Sequence, residues 1–161
     1  MDTLGPVLDD LLSAAEEMLN DCNRPAGLVT LAPGASVAWD NCCDGGGELW
    51  ARVVTSLPQP QGSQPCDITH LQVRVGLGVV RCMAGLNEEG APTAAQMTAD
   101  TLGMTKDADL LLQAIRTWGL PDKVVPKSIS IEQGTPLGPS GFCGGWEWIL
   151  TFRLMLCSGC G

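Results

Sequence analysis

A chain of 161 residues carrying 18 acidic against 9 basic side chains has a formal charge of −9, and its few bases are scattered, which argues against adhesion to nucleic acid or to an anionic membrane. The length predicts one domain, 1–161, around one principal core. With 20 glycines and 11 prolines, long irregular connections are expected between its elements. The first residues include Asp2, Asp9 and Asp10 where a secretory leader would carry bases, and no apolar run approaches the roughly 18 residues of a membrane span. The sequence therefore predicts a protein that stays in the cytosol where it is made.

From Asp2 to Asp21, Leu4, Leu8, Leu11, Leu12, Ala15 and Leu19 recur at helical spacing with Asp9, Asp10, Glu16 and Glu17 opposite, an amphipathic helix. Pro6 falls in the first turn, where a missing N–H costs little. A short strand is expected over Gly27–Leu31, interrupted at Pro33-Gly34 and resumed over Ser36–Trp39. The acidic, glycine-rich stretch from Asp40 to Gly47 reads as a turn leading into a strand over Glu48–Leu57, so that the two strands form a hairpin. Leu57–Pro65 holds three prolines and is expected to be a polar loop unable to sustain a ladder.

The longest predicted strand is Asp67–Met83. Leu71, Val73, Val75 and Leu77 alternate there with His70, Gln72 and Arg74, the pattern of an antiparallel strand with one wet face. Gly76 and Gly78 predict a bulge or tight bend midway. After a connection over Ala84–Ala91, Thr93 and Gln96 have the form of a capping box. The helix they open is expected to break at Gly103, restart at Thr105 with Leu110, Leu111, Ala114, Ile115 and Trp118 inward, and end at Gly119-Leu120-Pro121. Val124–Gln133 reads as a strand and Gly134–Gly144 as a long mobile loop.

The closing strand, Gly145–Leu156, places Trp146, Trp148, Leu150, Phe152, Leu154 and Leu156 on one face. Its other face, Glu147, Ile149, Thr151, Arg153 and Met155, is mixed, and is expected to be wet or covered by another subunit. The predicted fold class is α+β, a mostly antiparallel sheet of about five strands with two amphipathic helices packed on one face.

Reactive constellations are missing from the pattern. His70 is the single histidine, and its strand neighbours mark it as a surface residue. No Gly-x-Ser-x-Gly, phosphate-binding loop, His-Glu-x-x-His or dinucleotide fingerprint occurs. Gly45-Gly46-Gly47 lacks the lysine and helix of a phosphate cradle, and Asp40, Asp44 and Glu48 do not follow calcium-loop spacing, so a solvated acidic turn is expected. The eight cysteines offer only the vicinal pair Cys42-Cys43 and the terminal pair Cys157 and Cys160. Cys82 and Cys22 are read as small buried hydrophobes and the others as loop thiols, with no metal or other cofactor expected. The protein is accordingly read as non-enzymatic. What remains is surface: Trp39, Trp50, Arg52, His70, Arg74, Glu147 and Arg153 are the predicted interface residues, tryptophan being a preferred interface anchor.

Trp39-Asp40-Asn41-Cys42-Cys43, then Gly47-Glu48-Leu49-Trp50-Ala51-Arg52, and the terminal Gly144-Gly145-Trp146-Glu147 before an apolar strand resemble the neck and tail proteins of phages infecting actinobacteria. The element order over nearly the whole chain resembles their tail terminators. The resemblance implies a virion protein of the tail and neck: a homohexameric ring that stops growth of the tail tube, meets the major tail tube protein and the head-tail connector or stopper, and lets DNA pass through its lumen without specific binding. It implies no catalytic residue. An acidic lumen that repels phosphate would suit that role. The alternatives are another neck component, such as a stopper or a mainly helical adaptor, or a small zinc- or thiol-dependent cytosolic protein.

Overall fold

The structure is a computed structural model that describes residues 3–34, 42–60, 68–85 and 90–156. Helix α1 spans Leu4–Asp21 and buries Val7, Leu8, Leu11, Leu12, Ala15 and Leu19. It ends where Asn23 turns to φ +56° and the Arg24 N–H donates to the Leu19 carbonyl at 2.8 Å. Helix α2, Ala94–Thr117, begins with the anticipated capping box, Gln96 N–H to Thr93 Oγ1 at 3.2 Å and Thr93 N–H to Gln96 Oε1 at 2.8 Å. It runs unbroken through Gly103, contrary to the expected interruption. A single interior glycine costs only about 1 kcal/mol, which the packing of the following turns outweighs.

Five strands follow the order β1-β2-β3-β5-β4: β1 Leu28–Ala32, β2 Glu48–Pro60, β3 Ile68–Cys82, β4 Ser130–Ser140 and β5 Cys143–Met155. All pairs are antiparallel except β1 with β2. This is the α+β, mostly antiparallel, two-helix arrangement that the pattern predicted. The β1–β2 pair corrects the expected hairpin: the strands are parallel, with Leu28 opposite Glu48 and Ala32 opposite Arg52. The glycine run explains the change of direction. Gly27 and Leu28 both donate to the Gly47 carbonyl at 3.0 Å, and a Cβ on Gly27 would overlap Gly45, so the returning chain crosses back to the start of β1 before β2 begins. The expected strand over Ser36–Trp39 lies outside the described residues.

Two further expectations change for one reason. β2 continues through Pro58 to Pro60, paired with β3, where a loop was expected. β4 starts at Ser130 and runs through Gly134, Pro136 and Pro139, where a mobile loop was expected, while Val124 makes only an isolated bridge to Leu154. β4 is an edge strand, and β1 covers β2 only as far as Arg52. Prolines on an open edge cost no ladder bond, so they do not end the strand. Nor does β3 bulge at its glycines, since its register with β5 is continuous from His70 to Cys82.

The principal core joins the inward residues of both helices to Leu49 and Ala51 of β2, to Val73, Val75, Leu77 and Val79 of β3, and to Leu150, Phe152 and Leu154 of β5. Trp118 packs edge-on against Phe152 with ring centres 5.9 Å apart, and its indole N–H donates to Asp10 at 2.7 Å, tying α2 to α1. Trp148 donates to the Ala108 carbonyl at 2.8 Å. Trp146 and Trp148 are only half-buried, so the closing strand is fully dry only from Leu150 to Leu154 on that face.

The cysteines also differ from expectation. Cys42 is bonded to Cys143 and Cys43 to Cys82, with Cα atoms 5.8 and 4.4 Å apart. Cys82 is exposed rather than a buried hydrophobe. The parallel crossover carries residues 42 and 43 over the ends of β3 and β5, a juxtaposition invisible in spacings of 101 and 39 residues.

Candidate functional site

Alternation along the strands places the predicted interface residues on one sheet face. Trp50, Arg52, His70, Arg74, Glu147 and Arg153 all have the parity opposite to the core residues of their own strands. Trp39 lies outside the described residues.

Within that face the structure brings three of them together. In the β2–β3–β5 register, Gly78 stands between Trp50 and Glu147, and Gly76 between Arg52 and Ile149. With no side chain on β3 at these rows, those of β2 and β5 meet across it. The Trp50 indole N–H donates to Glu147 Oε2 at 2.9 Å, while Arg52 donates through Nε to Oε2 at 2.8 Å and through Nη2 to Oε1 at 2.7 Å. A Cβ on Gly78 would lie 2.7 Å from Trp50 Cε2, and one on Gly76 would lie 2.7 Å from Glu147 Oε2. The glycines therefore make space for a cross-strand cluster rather than bend the strand.

Trp50 is 1% and Glu147 6% exposed. The sequence reading set both on an interface. The structure instead buries them inside the chain, where they hold the sheet together. The Arg52 guanidinium is held above its ordinary pKa by hydrogen bonding to Glu147, which outweighs the opposing effect of burial and is reinforced by the carboxylate charge. The Glu48 side of the acidic turn is buried as well, at 5% exposure, although a solvated turn was expected.

Towards the far end the same face is wetter. Arg74 Nε donates to Glu132 Oε2 at 2.6 Å, and Thr151 donates its hydroxyl to the other oxygen of the same carboxylate. That hydrogen bond from Thr151, then the one from Arg74, pull the Glu132 pKa below the usual carboxylate range. His70 is half-buried and Arg153 exposed. The backbone N–H of Arg153 donates to Ser128 Oγ at 3.0 Å.

A second charged cluster went unrecognised in the sequence. Asp107, 1% exposed, accepts from Arg24 at 2.5 and 2.9 Å and from Arg81 at 2.9 and 3.2 Å. Arg81 also donates to the carbonyls of Arg24, Pro25 and Gly46, and Arg24 to that of Gly103. One carboxylate thus joins the end of α1, the glycine turn, β3 and α2. Hydrogen bonding to Asp107 raises the Arg24 pKa despite burial. Asp107 stands one turn before Leu111 on the apolar stripe of α2, and a charge in that position was the available signal.

Besides Leu57 and Phe142, at 57% and 49% exposure, apolar patches among the described residues lie near both edges of the sheet. Leu28 and Leu31, which point to opposite faces of β1, are 42% and 40% exposed, and Met97 and Leu102 of α2, which share one hollow, are 52% and 64% exposed. Met97 also lines a cleft of about 230 Å³ with Met83, Met104, Leu137 and Pro139. β1 and β4 are opposite edges of the sheet, so the patches lie on different sides of the molecule. With the sulfurs paired, no group of three or more His, Cys, Asp or Glu among the described residues is placed to hold a metal ion. No helix among the described residues is long and apolar enough to cross a membrane. The chain matches no protein-family model, and no curated protein is significantly similar to it in sequence.

Proposed function

We propose that this chain is a structural, non-catalytic virion subunit: a tail terminator that closes into a homohexameric ring on the phage tail tube and joins it to the head-tail connector. The observation that supports the ring is a pair of unlike exposed apolar surfaces, Leu31 on the edge strand β1 and Met97 with Leu102 on α2 beside the other edge. A contact between two different patches is head-to-tail, and where its rotation divides a full turn, repetition closes a ring that leaves neither patch exposed. The β4 edge carries Pro136 and Pro139, which disfavours strand-to-strand pairing there. This leaves α2 to meet the neighbour's β1. The solvent side of α1 presents Asp9, Glu17 and Asp21 within a chain of charge −9. Such a surface gains nothing from releasing counterions of DNA, so a genome passes without adhering. The sheet also favours a terminator over a mainly helical adaptor.

The test is complementation. Leu31→Glu and Met97→Glu alter exposed residues and leave the fold intact by circular dichroism. Each variant alone is expected to stay monomeric, because each has lost one patch. Mixed, they should form a one-to-one heterodimer in native mass spectrometry through the two patches still intact. Variants that each assemble as the parent chain does, or a mixture that stays monomeric, would overturn the reading.

A further inference from the structure

The chain ends that the crossover gathers hold four sulfur atoms from three separate segments. Cys42 and Cys43 are adjacent in sequence, while Cys82 on β3 and Cys143 on β5 are direct partners in the strand register. Each of the first two is bonded to one of the second two. The sulfurs of Cys42 and Cys43 are 3.8 Å apart. In a tetrahedral zinc site with Zn–S bonds of about 2.3 Å, the sulfur–sulfur edge is about 3.8 Å, so two of the four donors already stand at the separation that a tetrathiolate needs. Cys42 is buried at 1% exposure, whereas Cys43 and Cys82 are exposed, so the cluster has a closed side and an open side through which an ion can enter.

From this geometry we propose that in the reduced chain Cys42, Cys43, Cys82 and Cys143 form a structural tetrathiolate site for one zinc ion. An all-sulfur donor set selects a soft or borderline cation over magnesium or calcium. In a reducing compartment thiols persist where disulfides do not, and the same four residues then exchange covalent bonds for metal bonds. The steps balance. Two disulfides take four electrons and four protons from two equivalents of a dithiol reductant, which becomes its disulfide, and four thiols result. One Zn²⁺ then displaces the four thiol protons and forms four Zn–S bonds, leaving a site of net charge −2. In either state the linkage pins residues 42–47 to the ends of β3 and β5, and with zinc the binding free energy becomes folding free energy. The site is independent of the apolar patches, so its failure leaves the ring reading standing, and the reverse holds too.

The experiment uses the full chain, reduced with a water-soluble phosphine that becomes its oxide as each disulfide gains two electrons and two protons, with and without one equivalent of zinc chloride. Native mass spectrometry should show one zinc per chain with four protons displaced. Iodoacetamide mapping should find Cys42, Cys43, Cys82 and Cys143 protected by zinc and Cys22 alkylated. X-ray absorption on the same sample should show about four sulfurs near 2.3 Å. Cys43→Ser and Cys82→Ser should each weaken zinc retention at least tenfold, and Cys22→Ser should leave it unchanged. A reduced chain that retains no zinc, or zinc protection that falls on Cys157 and Cys160 while the four remain reactive, overturns the proposal, and neither result depends on a variant folding.

Discussion

Replacing Glu147 by glutamine keeps the shape of a buried side chain and removes its charge. The carboxylate accepts three hydrogen bonds, one from Trp50 and two from Arg52, and the Arg52 side chain is only 13% exposed. The amide keeps one acceptor oxygen and turns an NH₂ group towards the donors, so the largely buried guanidinium loses the charge of Glu147. Removing one partner of a buried ion pair costs roughly 3–5 kcal/mol, and the lower end applies because the amide retains part of the hydrogen bonding. About 3 kcal/mol in a chain of this length lowers the melting temperature by roughly 6–12 °C. The assay is urea unfolding without reductant, followed by tryptophan fluorescence, for the parent chain, Glu147→Gln, Arg52→Met and the double variant. The double variant should be less destabilised than the two singles summed, because it leaves no orphaned charge. The control is Glu132→Gln: its pair with Arg74 is 34% and 37% exposed, and exposed pairs contribute about 1 kcal/mol or less. If Glu147→Gln costs no more than Glu132→Gln, the cluster does not hold the sheet as described.

Four other outcomes follow from the same reasoning. Gly78→Ala should destabilise by at least about 1–3 kcal/mol, since its Cβ would press into the buried Trp50 ring. Gly103→Ala should instead stabilise by about 0.5–1 kcal/mol, because its Cβ would meet only Arg24 Nη2 at 3.5 Å in a helix interior; denaturation midpoints of the two variants should move in opposite directions. The lowered pKa of Glu132 sets the sign of a pH effect. The unfolded chain protonates this carboxylate first, near pH 4.3, so the contribution is complete above that range and disappears as pH falls through the lower folded value. The stability difference between the parent chain and Glu132→Gln should be constant from neutrality to about pH 5 and shrink below it; a difference that grows on acidification contradicts the assignment. Asp107→Asn should loosen the junction of α1, the glycine turn and α2, and hydrogen exchange should rise at Arg24, Gly27 and Leu28 before it rises at the β3–β5 pairs.

Much of the fold could be read from periodicity because most elements bury one face. The stripe of α1, the Thr93 box and the alternation around Val73 and Leu150 are local signals, and the structure keeps them. Pairing direction is not local: β1 and β2 looked like a hairpin because a glycine-rich turn lay between them, and only the crossing of Gly27 by Gly45 makes them parallel. Prolines misled for a similar reason. Pro58 and Pro136 forbid a central strand but not an edge, and edge position depends on topology. Parity alone puts Trp50, Arg52, His70, Arg74, Glu147 and Arg153 on the sheet face opposite the principal core. Gly76 and Gly78, however, were read as bends, when their missing side chains are what let Trp50 and Arg52 reach Glu147 and withdraw from the surface. Likewise, eight scattered cysteines carry no pairing information until three segments converge.

The most direct test of the assembly claim is native mass spectrometry of the purified, full-length chain, with negative-stain microscopy of the same sample. A closed six-copy ring with an open centre, and no larger open filaments, is the predicted result. A stable monomer at every concentration with Leu31 and Met97 equally solvent-labelled throughout would contradict the account.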